Sequence, residues 1–182
     1  TWTLENSPYV VSNSITIQSG ATLTIEPGVV VMFDGGGINI FGKILAGGTD
    51  AEPIYFTSFY DDEFDGTSDE EEFCSEDFDE EGNVLGEICE TFDFWNPQAR
   101  DWDGFYFRDS AGSSLENVYF RYSWSTIVLD SSEVNFKNLS VTSSISGLVA
   151  YNNSQVELLG GVFDNLNNDA LVVFNDSTLS SE

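Results

Sequence analysis

The run LENVYF at residues 115–120 returns as FKNLSV at 136–141 and as LLGGVF at 158–163, at offsets of 21 and 22 residues. A second series, IVL at 127–129, LVA at 148–150 and LVV at 171–173, keeps step at 21 and 23. Two independent series with one period point to a chain path that repeats, because short apolar strands returning every twenty-odd residues bury their inner faces by stacking coil on coil. The first half keeps the same step: Ile15 to Ile38 is 23, Leu23 to Ile44 is 21 and Val31 to Ile54 is 23.

Within each repeat the apolar residues alternate with polar ones, as in ITI at 15–17, LTI at 23–25, INI at 38–40 and IYF at 54–56, beside the apolar run VVVMF at 29–33. This is the period of strands, and no window sustains a helical one. Alternation sends Val118 and Phe120 inward and Tyr119 outward, with Leu115 inward again across a bend at Asn117. Asn117 and Asn138 fall at the same place in adjacent coils, either as stacked amides bonded along the axis or as ordinary turn asparagines. A sandwich or barrel would call for hairpin signals such as Asn-Gly, which are absent. The expected fold is all-β, a β-solenoid with coils of about 22 residues, their strands ~4.8 Å apart. Phe56 to Phe107 spans 51 residues and reads as one coil plus an insertion of about thirty.

Three segments carry a family resemblance: SGATLTIEPGVVVMF (19–33), GKILAGGTDAEPIYFTS (42–58) and DWDGFYF (101–107). They resemble the right-handed parallel β-helix repeat proteins of bacterial and archaeal cell surfaces, of pectate-lyase-like fold. The opening TWTLENSPYVV (1–11) is similar to the capping start of such domains. The resemblance covers residues 1–130 and implies one domain over 1–182, with a cap at 1–14 and a long acidic insertion at 59–101. It speaks for fold more than for activity, since this architecture serves lyases, hydrolases, adhesins and stalks.

The 182 residues carry 32 acids, 5 bases and no histidine, a formal charge of −27. Such a charge repels nucleic acid and anionic membrane surfaces. No apolar run is long enough to span a bilayer. Residues 61–103 alone hold 18 acids against Arg100. Within them, DDEFDGTSDEEE (61–72) places Asp61, Glu63, Asp65, Thr67, Asp69 and Glu72 at the first, third, fifth, seventh, ninth and twelfth positions of a loop, with Gly66 at the sixth. That is the order in which a twelve-residue calcium loop offers its oxygens. A solvated charge run is the competing reading. Asp77, Asp79 and Glu81 before Gly82 make a second, partial set, while Asp101 and Asp103 flank Trp102 at the base of the insertion. Calcium is therefore the expected cofactor. The interleaved Phe59, Phe64, Phe73, Phe78, Phe92, Phe94 and Trp95 read as a satellite core beneath the acids.

A disulfide between Cys74 and Cys89 would close a loop inside the insertion and stabilise by roughly 3 kcal/mol in the chain-entropy model, with a free thiol pair or a metal pair as the competing reading. It also implies an oxidising, extracellular or cell-surface location. The chain starts at Thr1 without initiator methionine or leader, so a removed leader or an excised fragment is expected. It stops partway through a repeat, which leaves an uncapped coil edge for more coils or for another copy.

Catalysis is not expected. The absence of histidine excludes His-dependent triads, and a lyase would need one of Lys43, Arg100, Arg108, Arg121 or Lys137 beside an acid-bound calcium. Arg108 and Arg121 each follow an inward Phe and are expected near each other across adjacent coils or paired with Asp109 or Glu116. Sequons at Asn138, Asn152 and Asn175 are common by chance in such turns. The sequence thus points to an extracellular structural or adhesive module, stiffened by calcium, that joins further coils or copies of itself head to tail or laterally into filaments. A polysaccharide-acting or surface-glycan-binding β-helix is the alternative.

Overall fold

Leu115, Phe136 and Leu158 lie one above another in hydrogen-bonded register, and so do Ile127, Leu148 and Leu171. The computed structural model describes residues 1–65, 70–78, 84–93 and 97–181. After a 3₁₀ turn at Leu4–Asn6 the chain forms β1 (Tyr9–Val11), β2 (Ile15–Ile17), β3 (Thr22–Ile25), β4 (Val30–Phe33), β5 (Gly37–Ile40), β6 (Lys43–Gly47) and β7 (Ile54–Ser58). A single helical turn, α1 (Asp62–Asp65), precedes β8 (Glu70–Phe78) and β9 (Val84–Asp93). The repeats then resume as β10 (Gly104–Arg108), β11 (Ala111–Arg121), β12 (Ser125–Asp130), β13 (Glu133–Thr142), β14 (Ser146–Tyr151), β15 (Gln155–Asp164), β16 (Leu171–Val173) and β17 (Thr178–Ser181).

Two parallel sheets wind through these coils. One runs β16-β14-β12-β10-β5-β2; the other runs β1-β4-β7-β11-β13-β15-β17, with β3 and β6 completing it beside the first half of β11. The fold is a parallel β-solenoid, with axial partners 21 to 25 residues apart within the uninterrupted coils.

The inward side chains form columns. Ile15, Ile38, Phe105, Ile127, Leu148 and Leu171 make one, and Val31, Phe56, Phe120, Val141 and Phe163 another. Most are fully buried, including Phe56, Phe105 and Phe120. Phe56 stacks on Phe120 at 4.8 Å and meets Phe105 edge-on at 4.7 Å, so the two sheets interlock through their largest side chains.

Corners need a backbone that most residues resist. Asn117 and Asn138 take left-handed φ values of 48° and 53°, and Gly160 takes 75° at the same place one coil later. Asn138 Nδ2 donates to Asn117 Oδ1 at 2.8 Å, and Asn117 Nδ2 donates to the Gly48 carbonyl at 3.0 Å. These are the stacked amides, not ordinary turn residues. A second ladder was not foreseen: the amides of Ser110, Ser132 and Ser154 donate to the hydroxyls of Ser132, Ser154 and Ser177, each one coil on, at 3.0–3.1 Å. Ser110, Ser132 and Ser154 are buried, and their hydroxyls donate in turn to backbone carbonyls, so each polar group inside the corner is satisfied.

Two alignments need correction: Val31 pairs with Phe56, 25 residues on, and not with Ile54. Phe56 pairs with Phe120, and Phe107 pairs with Ile40 on the other sheet. Phe56 and Phe107 are therefore not equivalent, and the reading of one coil plus about thirty inserted residues between them does not hold.

Candidate functional site

The insertion leaves the solenoid after β7 and returns before β10, and its two ends meet at a neck. Ser58 Oγ, on the last residue of β7, donates to Asp101 Oδ2 at 2.6 Å. The same carboxylate oxygen accepts the Gln98 amide at 2.8 Å, which folds residues 98–101 into a tight turn against Tyr122, whose carbonyl accepts the Arg100 and Asp101 amides. Next to this clasp Trp102 enters the core. It is 1% exposed, stacks on Phe33 at 4.2 Å and donates its indole N–H to the Arg121 carbonyl at 2.8 Å.

Across the neck Arg121 ends β11. Register sets it there: Phe120 lies on Phe56, so Arg121 falls beside Thr57 and the residues that follow it. Its Nη1 donates to Glu63 and lies 3.6 Å from Asp61 Oδ2. Asp61 is buried and also accepts the Thr57 hydroxyl. The guanidinium sits 5.1 Å from the Tyr55 ring and 5.5 Å from Phe64, and Tyr55 stacks on Tyr119 at 5.0 Å. Burial by itself would lower the Arg121 pKa; the Glu63 hydrogen bond and charge, then Asp61, reverse this and raise it. Burial also pushes up the phenols of Tyr55 and Tyr122, against the opposing pull of Arg121.

The expected pairings of the basic residues are thereby corrected. Arg108 and Arg121 lie on different sheets, so they do not meet; Arg121 holds Asp61 and Glu63, while Glu116 pairs with Lys137. Arg100 covers the Trp124 ring at 4.6 Å. Lys43 and Arg108 have no ion pair among the described residues.

Of the expected calcium ligands, Asp61 and Glu63 come together, but on Arg121. Asp65 ends the helical turn, and Glu72 and Asp77 lie in β8. Thr67, Asp69, Asp79 and Glu81 lie outside the described residues. Asp101 is committed to the clasp; Asp103 is exposed, and its backbone joins Gly36 and Ser125. Among the described residues no group of three or more His, Cys, Asp or Glu side chains could hold a metal ion. Phe64 packs on Tyr55 at 4.6 Å, whereas Phe59 is 38% exposed; Phe94 and Trp95 lie outside the described residues.

Beyond the neck β8 and β9 form an antiparallel hairpin in which Cys74 is the backbone partner of Cys89. The same register sets Glu70 opposite Asp93 and Glu76 opposite Glu87. Like charges directly opposite across two strands are destabilising. No described helix is long and apolar enough to cross a membrane. No protein-family model matches the chain, and comparison with curated proteins and with solved structures returns no match.

Proposed function

We propose that this chain is an extracellular, cell-surface module of structural or adhesive kind, related to the parallel β-helix repeat proteins its sequence resembles, with an acidic insertion that binds calcium. The observation that carries the reading is the hairpin register, in which Glu70 is the backbone partner of Asp93 and Glu76 of Glu87, in a segment of net charge −17. A divalent ion is the compact remedy, because hard carboxylate oxygens are its preferred ligands. Arg121 already serves Asp61 and Glu63, so calcium falls to the acids farther out along the insertion, around Asp65–Glu72 and Asp77–Glu81. The facing positions of Cys74 and Cys89 support a cross-strand disulfide, and with it an oxidising compartment.

The solenoid supplies the structural half. Its columns and corner ladders continue to the last coil, where β16 and β17 pair on one side only. Coils of this kind stack on one another, and head-to-tail addition of copies makes a filament. A polysaccharide lyase would need a base of lowered pKa next to a metal; Arg121, which holds Asp61 and Glu63, has its charge reinforced instead.

Thermal melting during a calcium titration, with electron microscopy of the same samples, tests both halves. A saturating rise in the melting temperature, about 2.7 kcal/mol of stabilisation at a hundredfold excess over Kd, supports the calcium reading. A melting curve that ignores calcium and chelator alike removes it. Fibres support end-on assembly, whereas single particles at every concentration speak against it.

A further inference from the structure

Three faces run along the solenoid, and they differ in charge and cover. The face made by β3, β6 and the first halves of β11, β13 and β15 carries Lys43, Glu116, Glu133, Lys137 and Glu157. The face made by β4 and β7 is covered: Met32 and Thr57, register partners that point outward by alternation, are 1% and 0% exposed, and Thr57 lies under Asp61. The third is the outer surface of the six-stranded sheet. Its strands, ITI, GINI, GFYFR, STIVLD, SGLVAY and LVV, contain one base, Arg108, and one acid, Asp130. In a chain of net charge −27 the strands of this face carry no net charge, while Asp103, exposed just before β10, and Asp169, beside Val149 and Val172, stand at its margin.

Two outward rows cross it. One holds Tyr106, Val128, Val149 and Val172, each on the next coil. In the other, Arg108, Asp130 and Tyr151 are successive register partners, and Phe41 and Phe174 are the residues that follow the last paired positions of their strands, Ile40 and Val173. Those two phenylalanines are 37% and 54% exposed. Arg108 and Asp130 are neighbours of opposite sign without an ion pair between them; Arg108 only leans toward the Tyr106 ring at 5.9 Å, and Asp130 accepts Asn152 Nδ2 at 2.8 Å.

We propose that this face binds a second copy of the chain, sheet against sheet, about a twofold axis between β10 and β12. Such an axis reverses the coil order, so Arg108 meets Asp130 of the second copy and Asp130 meets Arg108 in return, while Phe41 comes over Tyr151. The row is complementary to itself, which is what an isologous contact requires. Other surfaces of two such acidic chains repel, and a basic partner would seek the faces whose strands are rich in acids rather than this one. Six rungs at ~4.8 Å and a width of about 15 Å give roughly 400 Å² per copy, below a standard interface, so the association is weak and reversible.

Sedimentation equilibrium of the whole chain from about 10 µM to about 1 mM, at low and high salt, tests this. The expected result is an association that stops at two and tightens with salt, as screening relieves the repulsion between the two charged bodies. Arg108→Glu weakens it at least tenfold, and Arg108→Asp combined with Asp130→Arg restores it. A monomer at every concentration overturns the proposal. So does a dimer indifferent to Arg108→Glu, or a double exchange that fails to restore pairing while its circular dichroism is unchanged. End-on stacking is separately visible as an open series of species that survives Arg108→Glu, and that outcome overturns the twofold face while leaving the structural reading intact.

Discussion

The coils and the insertion solve the same problem in opposite ways. In the coils each strand pairs with one a full turn away in sequence, and stability comes from inward columns such as Phe56 on Phe120. In the insertion β8 pairs with its immediate successor, and two of its backbone pairs, Glu70 with Asp93 and Glu76 with Glu87, join residues of like charge. The coils therefore depend on neighbours above and below, whereas the hairpin is paired within itself. The neck separates the two, since Ser58–Asp101, Trp102 and Arg121 make the two ends of the insertion part of the solenoid's packing.

If that division is right, damage at the neck's apolar side should be the most costly. Trp102→Ala removes a fully buried ring and leaves the Arg121 carbonyl without its donor; a loss of about 4 kcal/mol is expected in denaturant unfolding, spread over the whole solenoid. A loss below about 1 kcal/mol would mean that the ring is not a keystone between the regions. Arg121→Ala should follow at about 2 kcal/mol, since it leaves the buried Asp61 carboxylate uncompensated while the more exposed Glu63 simply returns to water. Hydrogen exchange should show the opening confined to residues near α1 and the start of the insertion; protection lost evenly through β12–β15 would erase the boundary.

Asn138→Ala tests the coils alone. It breaks one axial hydrogen bond and places a β-carbon at φ 53°, for about 1–2 kcal/mol in total. Asn138→Gly loses the bond but relieves the strain, so it should cost less; equal costs would show that the backbone conformation does not matter there. The smallest effect is at alkaline pH. The raised phenols of Tyr55 and Tyr122 mean that folding favours their protonated forms, so that contribution is whole below pH 10 and fades as pH rises through the folded-state values. Tyr55→Phe should flatten the decline of melting temperature above pH 10; an unchanged slope would assign the decline to other groups.

The coils were legible because their signal repeats. Leu115, Phe136 and Leu158 announce one column, and Ile127, Leu148 and Leu171 confirm its period, so errors at single positions cancel. The serine ladder was equally present, at Ser110, Ser132, Ser154 and Ser177, but serine in a turn draws no notice until its burial is seen. The neck occurs once and offers no repetition to average. Arg121 and Asp61 are sixty residues apart, and they meet only because Phe120 stacks on Phe56. Aligning Phe56 with Phe107 instead, which matches Phe to Phe at a plausible spacing, shortens the insertion and sends Arg121 to the wrong partners. Acid spacing in 61–72 fits a calcium loop, yet spacing does not reveal that a guanidinium waits for its first and third members.

The corner ladder also changes what two of the glycosylation tripeptides mean. In Asn152-Asn153-Ser154 the serine hydroxyl is inside the protein, accepting the Ser132 amide, and in Asn175-Asp176-Ser177 it accepts the Ser154 amide. A transferase that must engage that hydroxyl finds it free only while the chain is still unfolded. Any sugar on Asn152 would therefore date from synthesis, and a finished molecule offered to the same enzyme should be refused.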